Sequence, residues 1–198
     1  MYCVGVVLAG GEASRFGGLP KGLAVVDGAR IIDRVAAALR EATDELLLVA
    51  NDPAADAWLP GVRTATDLRR GEGALGGLHA ALSHAGGHAV LVVAWDMPWV
   101  SAGLLRAVRA RGEAGADAAM PESATSGKGV EPLCAWYAPG CLPAIERRLD
   151  AGDRRVVSFL DDVNVARLPA AEVSTWGDPA RLFFNVNTPL DLVAAPRP

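Results

Sequence analysis

Apolar positions along this chain alternate between continuous short runs and helical stripes. The run from Val4 to Leu8 is rich in β-branched residues and is halted at Gly10-Gly11, as expected of a strand buried on both faces. In ARIIDRVAAALREA the side chains of Ile31, Ile32, Val35, Ala36 and Leu39 share one helical stripe, and LLLVAN from Leu46 reads as a second buried strand. Together they form a βαβ unit. ALGGLHAALSHAG predicts another helix before the strand HAVLVVAWD, and SAGLLRAVRARGEAG predicts a third before DAAMPES, with Ser101 placed to cap its start. In the last third, PGCLPAIERRLDAG and VVSFLDD read as helical. FFNVN reads as a short strand entering a helix at Thr188-Pro189, where proline suits the first turn. This alternation predicts an α/β fold: an open, mostly parallel sheet with helices on both faces. Ligands of such sheets bind beyond the carboxyl ends of the strands. The loop at Gly10, Asn51 and Asp96 each follow a predicted strand directly, so three distant segments are expected to face one crevice.

With 198 residues and 51% hydrophobic content, the chain supports one full core, and a single domain over residues 1–198 is expected. No repeat, low-complexity segment or linker interrupts it, and only Pro196-Arg197-Pro198 is expected to fray. A formal net charge of -4 argues against general nucleic-acid binding, so any cations that serve phosphate must be gathered locally. Cys3, Cys134 and Cys141 are odd in number and lack CxxC spacing, which indicates neither a zinc site nor a disulfide framework and suits a reducing cytoplasm. No charged amino end leads into a long apolar segment, and no run approaches the ~20 residues that span a bilayer. A soluble, unexported protein is expected.

The first loop carries the most chemistry. Gly10, Gly11, Gly17 and Gly18 let a ligand approach the main chain and let amide groups converge on phosphate oxygens, while Arg15 and Lys21 add full positive charge. The guanidinium offers a planar fork, and the lysine is a mobile point charge suited to a phosphate whose charge shifts during reaction. Walker A does not fit, because Lys21 is followed by Gly22, and the glycine spacing is not GxGxxG. By composition alone such a turn is as often structural as functional. The two cations inside it favour a loop that holds a nucleoside triphosphate.

VLVVAWDMP ends an apolar strand with a carboxylate, and Met97-Pro98 stops the strand there, leaving Asp96 at the sheet edge. Mg²⁺ is the natural candidate ligand, since it accepts one or two protein carboxylates together with substrate phosphates and water. A turn-forming or capping aspartate is the competing reading. Asn185 and Asn187 are two apart, so a regular strand would put both on one side, near a metal or phosphate; turn and cap duty around Thr188 competes equally. Arg147-Arg148 and Arg154-Arg155 are by default a solvated basic face. His84 and His88 are separated by Gly86-Gly87, which weakens any helix that would aim both at one metal, and they are assigned no role.

The string LAGGxxxRxGGxxKGL from Leu8 to Leu23 resembles the N-terminal motif of the molybdenum cofactor guanylyltransferases, within the nucleotidyltransferase superfamily. The resemblance continues through Asn51, Asp67 before GEGALGGL, VVAWDMP, EPLCAWY and FFNVNTPLDL, and so covers nearly the whole chain. It implies a Rossmann-like nucleotidyltransferase fold, with a nucleotide-binding part in residues 1–100 and an acceptor-binding part in 101–195. The implied reaction transfers GMP from GTP to the terminal phosphate of molybdenum-bound molybdopterin and releases pyrophosphate. Arg15, Lys21 and Asp96 are then the catalytic residues. Leu8, Ala9, Gly10 and Gly11 form the segment whose backbone meets the base, Asn51 and Asp67 contact the nucleotide, and Asp96 with Asn187 surrounds Mg²⁺. Guanine-using members tend to have LAGG where cytosine-using relatives have LAAG, so Gly10-Gly11 favours GTP over CTP. DAGDRRVVSFL resembles the acceptor-side segment.

One position departs from the pattern: Pro20 stands where the guanylyltransferases usually have aspartate, a feature similar to the sugar-phosphate branch. Proline fixes its own backbone angle and restrains Leu19, so Lys21 is expected to be held stiffly. CTP on molybdopterin, or a triphosphate on a sugar 1-phosphate, is therefore the alternative, and a non-catalytic nucleotide sensor or cofactor chaperone is a second. The resemblance also implies a cytoplasmic protein with transient contacts to cofactor-synthesis proteins and molybdoenzyme precursors.

Overall fold

The computed structural model describes residues 1–10, 20–124, 126–188 and 190–191. Strand β1 (Cys3–Ala9) is buried along its full length, and its side chains divide between two cores. Cys3, Val7 and Ala9 pack on one face of the sheet and Val4, Val6 and Leu8 on the other, the alternation that a strand imposes. A hairpin of β2 (Val25–Val26) and β3 (Ala29–Arg30) leads into α1 (Ile31–Arg40), then β4 (Glu45–Ala50) and β5 (Arg63–Ala65). Next come α2 (Gly73–His84), β6 (Ala89–Ala94), α3 (Ala102–Glu113), β7 (Ala118–Ser123), β8 (Gly129–Val130) and β9 (Cys134–Tyr137). The chain continues through α4 (Leu142–Asp150), β10 (Val165–Leu168), α5 (Ala170–Val173) and α6 (Pro179–Leu182).

The main sheet has the order β10-β7-β9-β6-β1-β4-β5, with β8 paired to β7. Strand β1 is parallel to β4 and β6, so that Val6 pairs with both Leu47 and Val92. The β4–β5 and β7–β10 pairs are also parallel. Within this sheet only β9, against β6 and β7, and β8, against β7, run antiparallel among the described residues, as does the separate β2–β3 hairpin. The mostly parallel α/β sheet expected from the alternation is the observed architecture. Helices α1 and α3 supply one core and α2 and α4 the other. Because α2 lies between the sheet and α4, it is buried from Leu75 to Leu82 on nearly every side, which explains its lack of a polar face. The Ser101 hydroxyl oxygen accepts a hydrogen bond from the Leu104 amide at 3.2 Å and caps α3 as expected.

Two expected elements differ. VVSFLDD forms a succession of turns and a 3-10 turn (Leu160–Asp162) instead of an α-helix. Seven residues are too few to offset helix nucleation, and burial of Phe159 holds the segment in place without one. FFNVN is not a strand. The Val186 amide donates to the Asp96 carbonyl oxygen at 2.9 Å, so residues 183–187 cross beyond the end of β6 and do not pair along a sheet edge. Past them, the Asp191 carboxylate accepts from the Asn187 and Thr188 amides at 2.8 and 2.7 Å and starts the helical turn expected there; Pro189 itself lies outside the described residues. No helix among the described residues is long and apolar enough to cross a membrane.

Candidate active site

Pro20, at φ -59°, opens a 3-10 turn over Lys21–Leu23 that is closed by Leu23 N–H donating to the Pro20 carbonyl at 2.9 Å. The turn is pressed against the loop after β6. A Cβ at Gly22 would stand 2.3 Å from the Trp95 ring, so only glycine permits this approach. Lys21 is thereby brought across to the end of β6, where its Nζ donates to Asp96 Oδ2 at 2.5 Å and to Asn187 Oδ1 at 3.0 Å. The proline is compatible with this placement, because its fixed φ is the one the turn requires.

Asp96 sits just past β6, held from one side by the Val186 amide on its carbonyl and preceded by a Trp95 N–H that donates to Leu8 O at 3.2 Å. Its carboxylate is buried. Lys21 takes Oδ2, and Oδ1 has no hydrogen-bond partner among the described residues. A buried anionic oxygen left unpaired is costly, and a cation is the partner that would relieve it most. The described residues contain no group of three or more His, Cys, Asp or Glu able to hold a metal by themselves. One carboxylate and one amide oxygen fit Mg²⁺, which draws its other ligands from phosphates and water.

Asp96 opens on a cleft of about 630 Å³ at the carboxyl ends of β1, β4 and β6. Helix α1, on one face, links β1 to β4, and α2, on the other, links β5 to β6, so the cleft lies at the switch point at which open α/β folds bind ligands. Leu8, Ala9, Gly10, Lys21, Asn51, Asp67 and Asp96 all line it. Asn51 and Asp67 are locked reciprocally: Asn51 Nδ2 donates to Asp67 Oδ2 at 2.7 Å and Asp67 N–H to Asn51 Oδ1 at 2.9 Å. Helix α2 closes on the cleft through Gly77, where a Cβ would lie 2.6 Å from Leu8 Cδ1. Trp58 and Trp95, stacked at 5.2 Å with 20° between their planes, form a wall that sequence reasoning missed. The position of Trp95 beside Asp96 was the available signal.

A second cavity, about 710 Å³, lies on the other side of Asn185 and Leu133, which line both. Asn187 is in its wall, together with Met97, Lys128, Glu131 and Phe183. Asn185 and Asn187 are therefore both at the site, although the segment that carries them is not a strand. Lys21 and Asp96, in the wall of the first cavity, meet Asn187, in the wall of the second, through the Lys21–Asn187 hydrogen bond.

Residues 5–165, which include Lys21, Asn51, Asp67, Asp96 and Glu131, match the MobA-like NTP transferase domain. The chain belongs to the MobA-like NTP transferase family. A probable molybdenum cofactor guanylyltransferase of Pelotomaculum thermopropionicum is 37% identical over 195 residues, covering 98% of this chain and 92% of the relative. The molybdenum cofactor guanylyltransferase of Desulfosudis oleivorans is 33% identical over 96% of this chain and 93% of its own. The solved structure of molybdopterin-guanine dinucleotide biosynthesis protein A from Archaeoglobus fulgidus superposes with a TM-score of 0.79 at 31% identity, covering 97% and 95% of the two chains.

The remaining candidate positions of this MobA-like transferase fall into separate groups. Gly11, Arg15, Gly17 and Gly18 lie outside the described residues. Arg147 and Arg148 face Asp162, and Arg155 pairs with Asp153 at 2.6 Å and holds that half-buried carboxyl down at about 2. These three arginines are engaged on the surface, as the default reading expected. Arg154 differs, since it pairs with Glu72 at 2.6 Å, between the cleft-lining Gly71 and Gly73. His84 and His88 line neither cavity.

Proposed function

We propose that the chain transfers GMP from GTP to the terminal phosphate of molybdenum-bound molybdopterin, releasing pyrophosphate and forming the guanine dinucleotide form of the cofactor. The observation that carries this reading is the hydrogen-bonded link of Lys21 and Asp96, in the wall of the cleft beside β1, with Asn187, in the wall of the neighbouring cavity. A nucleotidyl transfer needs such a meeting point for two phosphorylated partners. The full-length similarity to proteins named molybdenum cofactor guanylyltransferase supports the choice of partners.

In this reading the cleft beside β1 holds GTP, with the backbone of Leu8, Ala9, Gly10 and Gly11 against the base and the locked Asn51–Asp67 pair on the nucleotide. Gly10-Gly11 favours guanine over cytosine. The acceptor phosphate is already a nucleophile, so catalysis rests on positioning and charge neutralisation. Lys21 moves its charge onto the phosphates as the triphosphate enters, and Arg15 adds a planar fork. Asp96 and Asn187 would hold Mg²⁺, which when bound would neutralise phosphate charge. Cytoplasmic operation and transient contacts with cofactor-synthesis proteins and molybdoenzyme precursors follow from the same reading.

Pyrophosphate release from the purified protein with Mg²⁺ tests the proposal, comparing GTP, CTP and ATP with and without molybdenum-bound molybdopterin. GTP-selective, acceptor-dependent release is expected. Release that follows CTP, or a supplied sugar 1-phosphate, would assign the chain to the branch that Pro20 resembles. GTP binding without turnover would make it a sensor or chaperone.

A further inference from the structure

The second cavity holds a buried carboxyl group that the nucleotide chemistry leaves unused. Glu131 opens the EPL segment that leads into β9, and its backbone is fixed at both ends: its N–H donates to Pro121 O at 3.0 Å and its carbonyl accepts from Cys134 N–H at 3.1 Å. The residue is only 6% exposed, yet it lines the cavity. The Ser123 hydroxyl hydrogen-bonds its carboxyl group, and the charge of Lys128 acts on it. Burial still pushes the carboxyl above its ordinary range. An apolar side chain would fill the same wall without the cost of desolvating a carboxylate. A carboxylate has about four lone-pair sites, so one hydroxyl leaves most of its accepting capacity for whatever enters the cavity.

Phe183 supplies an apolar wall to the same space, and Asn187, also in its lining, accepts a hydrogen bond from Lys21. A flat heterocycle joined to a phosphate matches that layout. We infer that Glu131 reads the acceptor, its carboxylate taking the paired N–H groups of an amino-pyrimidinone edge while the acceptor's phosphate lies toward Asn187. The two oxygens of a carboxylate meet two parallel N–H donors in the same bidentate fashion as they meet a guanidinium. This inference deepens the guanylyl-transfer reading and rests on it for the identity of the acceptor. Guanine presents the same edge as a pterin, so the test must separate the two sources.

Binding of pterin and of lumazine, which has an oxygen in place of the 2-amino group, is measured on wild type and Glu131→Gln by isothermal titration. The acceptor KM, the GTP KM and the GTP-to-ITP preference are measured alongside. The wild type is expected to favour pterin over lumazine by about tenfold or more, because a site built for a donor rejects the analogue lacking it. Glu131→Gln is expected to erase that preference and to raise the acceptor KM by about tenfold, with the GTP KM and the GTP-to-ITP preference unchanged. Glu131→Asp, which keeps the charge, should recover part of the preference. Equal binding of pterin and lumazine by the wild type, or an unchanged preference in Glu131→Gln, overturns the inference even if guanylyl transfer proceeds normally. A shift in GTP-to-ITP preference instead would place the carboxylate on the nucleotide base and also overturn it. Pterin discrimination that depends on Glu131, in a protein releasing no pyrophosphate from GTP, would sustain the recognition role and remove the transfer reaction.

Discussion

Lys21 and Asp96 are bound to each other, but their replacement should be felt differently. Asp96→Asn removes the anionic oxygen suited to a metal, so turnover should fall by about 10²–10³-fold and the Mg²⁺ concentration for half-maximal rate should rise. Lys21→Ala removes the charge proposed to serve the phosphates, and turnover should fall by at least ~10²-fold even at saturating Mg²⁺. Pyrophosphate release across a Mg²⁺ titration separates the two. Near-normal turnover of Asp96→Asn at low Mg²⁺ would contradict the metal role. Asp96 was singled out in the sequence as a carboxylate closing an apolar run, and Lys21 as a cation within a glycine-rich turn. The contact of Lys21 with Asn187 was not, since 166 positions separate them and only the fold closes that distance. Trp58 and Trp95 escaped because an indole beside apolar neighbours reads as core, which both also are. Glu131 stood within a recognised string, EPLCAWY, but its burial depends on the reversed direction of β9, which no local pattern encodes.

Among the structural elements, the 3-10 turn at Lys21 is the most exacting. Gly22→Ala would drive a methyl group into the Trp95 ring, and both backbones are anchored, so a loss of about 1–3 kcal/mol is expected together with reduced turnover as Lys21 is displaced. Adding Trp95→Leu should recover part of both losses, measured by thermal unfolding and by rate. Ser101→Ala, in contrast, should cost about 1 kcal/mol in a denaturant titration and leave turnover unchanged, because it removes only the cap of α3. Periodicity revealed α1, β4, α2, β6, α3, β7 and α4 because each spends its length against a core. It missed β5 and β10, three and four residues long, the latter interrupted by exposed Arg167. FFNVN satisfied the two-residue alternation of a strand, but its backbone finds the single carbonyl of Asp96 where a strand would find a ladder. Period alone cannot distinguish a strand from an extended crossing.

The folded chain encloses all three of its thiols. Burial raises Cys3 and Cys141 from the ordinary 9.0 to about 12, and raises Cys134 as well. The unfolded chain loses these protons above about pH 9, while the folded chain keeps them until about 12. Their contribution to stability is therefore complete below pH 9 and falls as pH climbs toward 12. Thermal unfolding followed from pH 8 to pH 10.5 should show a declining midpoint, and Cys141→Ala should flatten the decline. The reversed strand β9 has another consequence. Parallel strands deliver their exits to the ligand edge, whereas β9 begins there, and Leu133 at its run-in accepts the Ala94 amide at the very end of β6. In the proposed reading the donor half of the site is thus assembled from departures, and part of the acceptor half from an arrival. Editing the few residues ahead of one strand can refit the guest on that side while the register of β1 against β4 and β6 stays untouched. A scaffold wired in this way can diversify what it modifies without relearning how to hold the nucleotide.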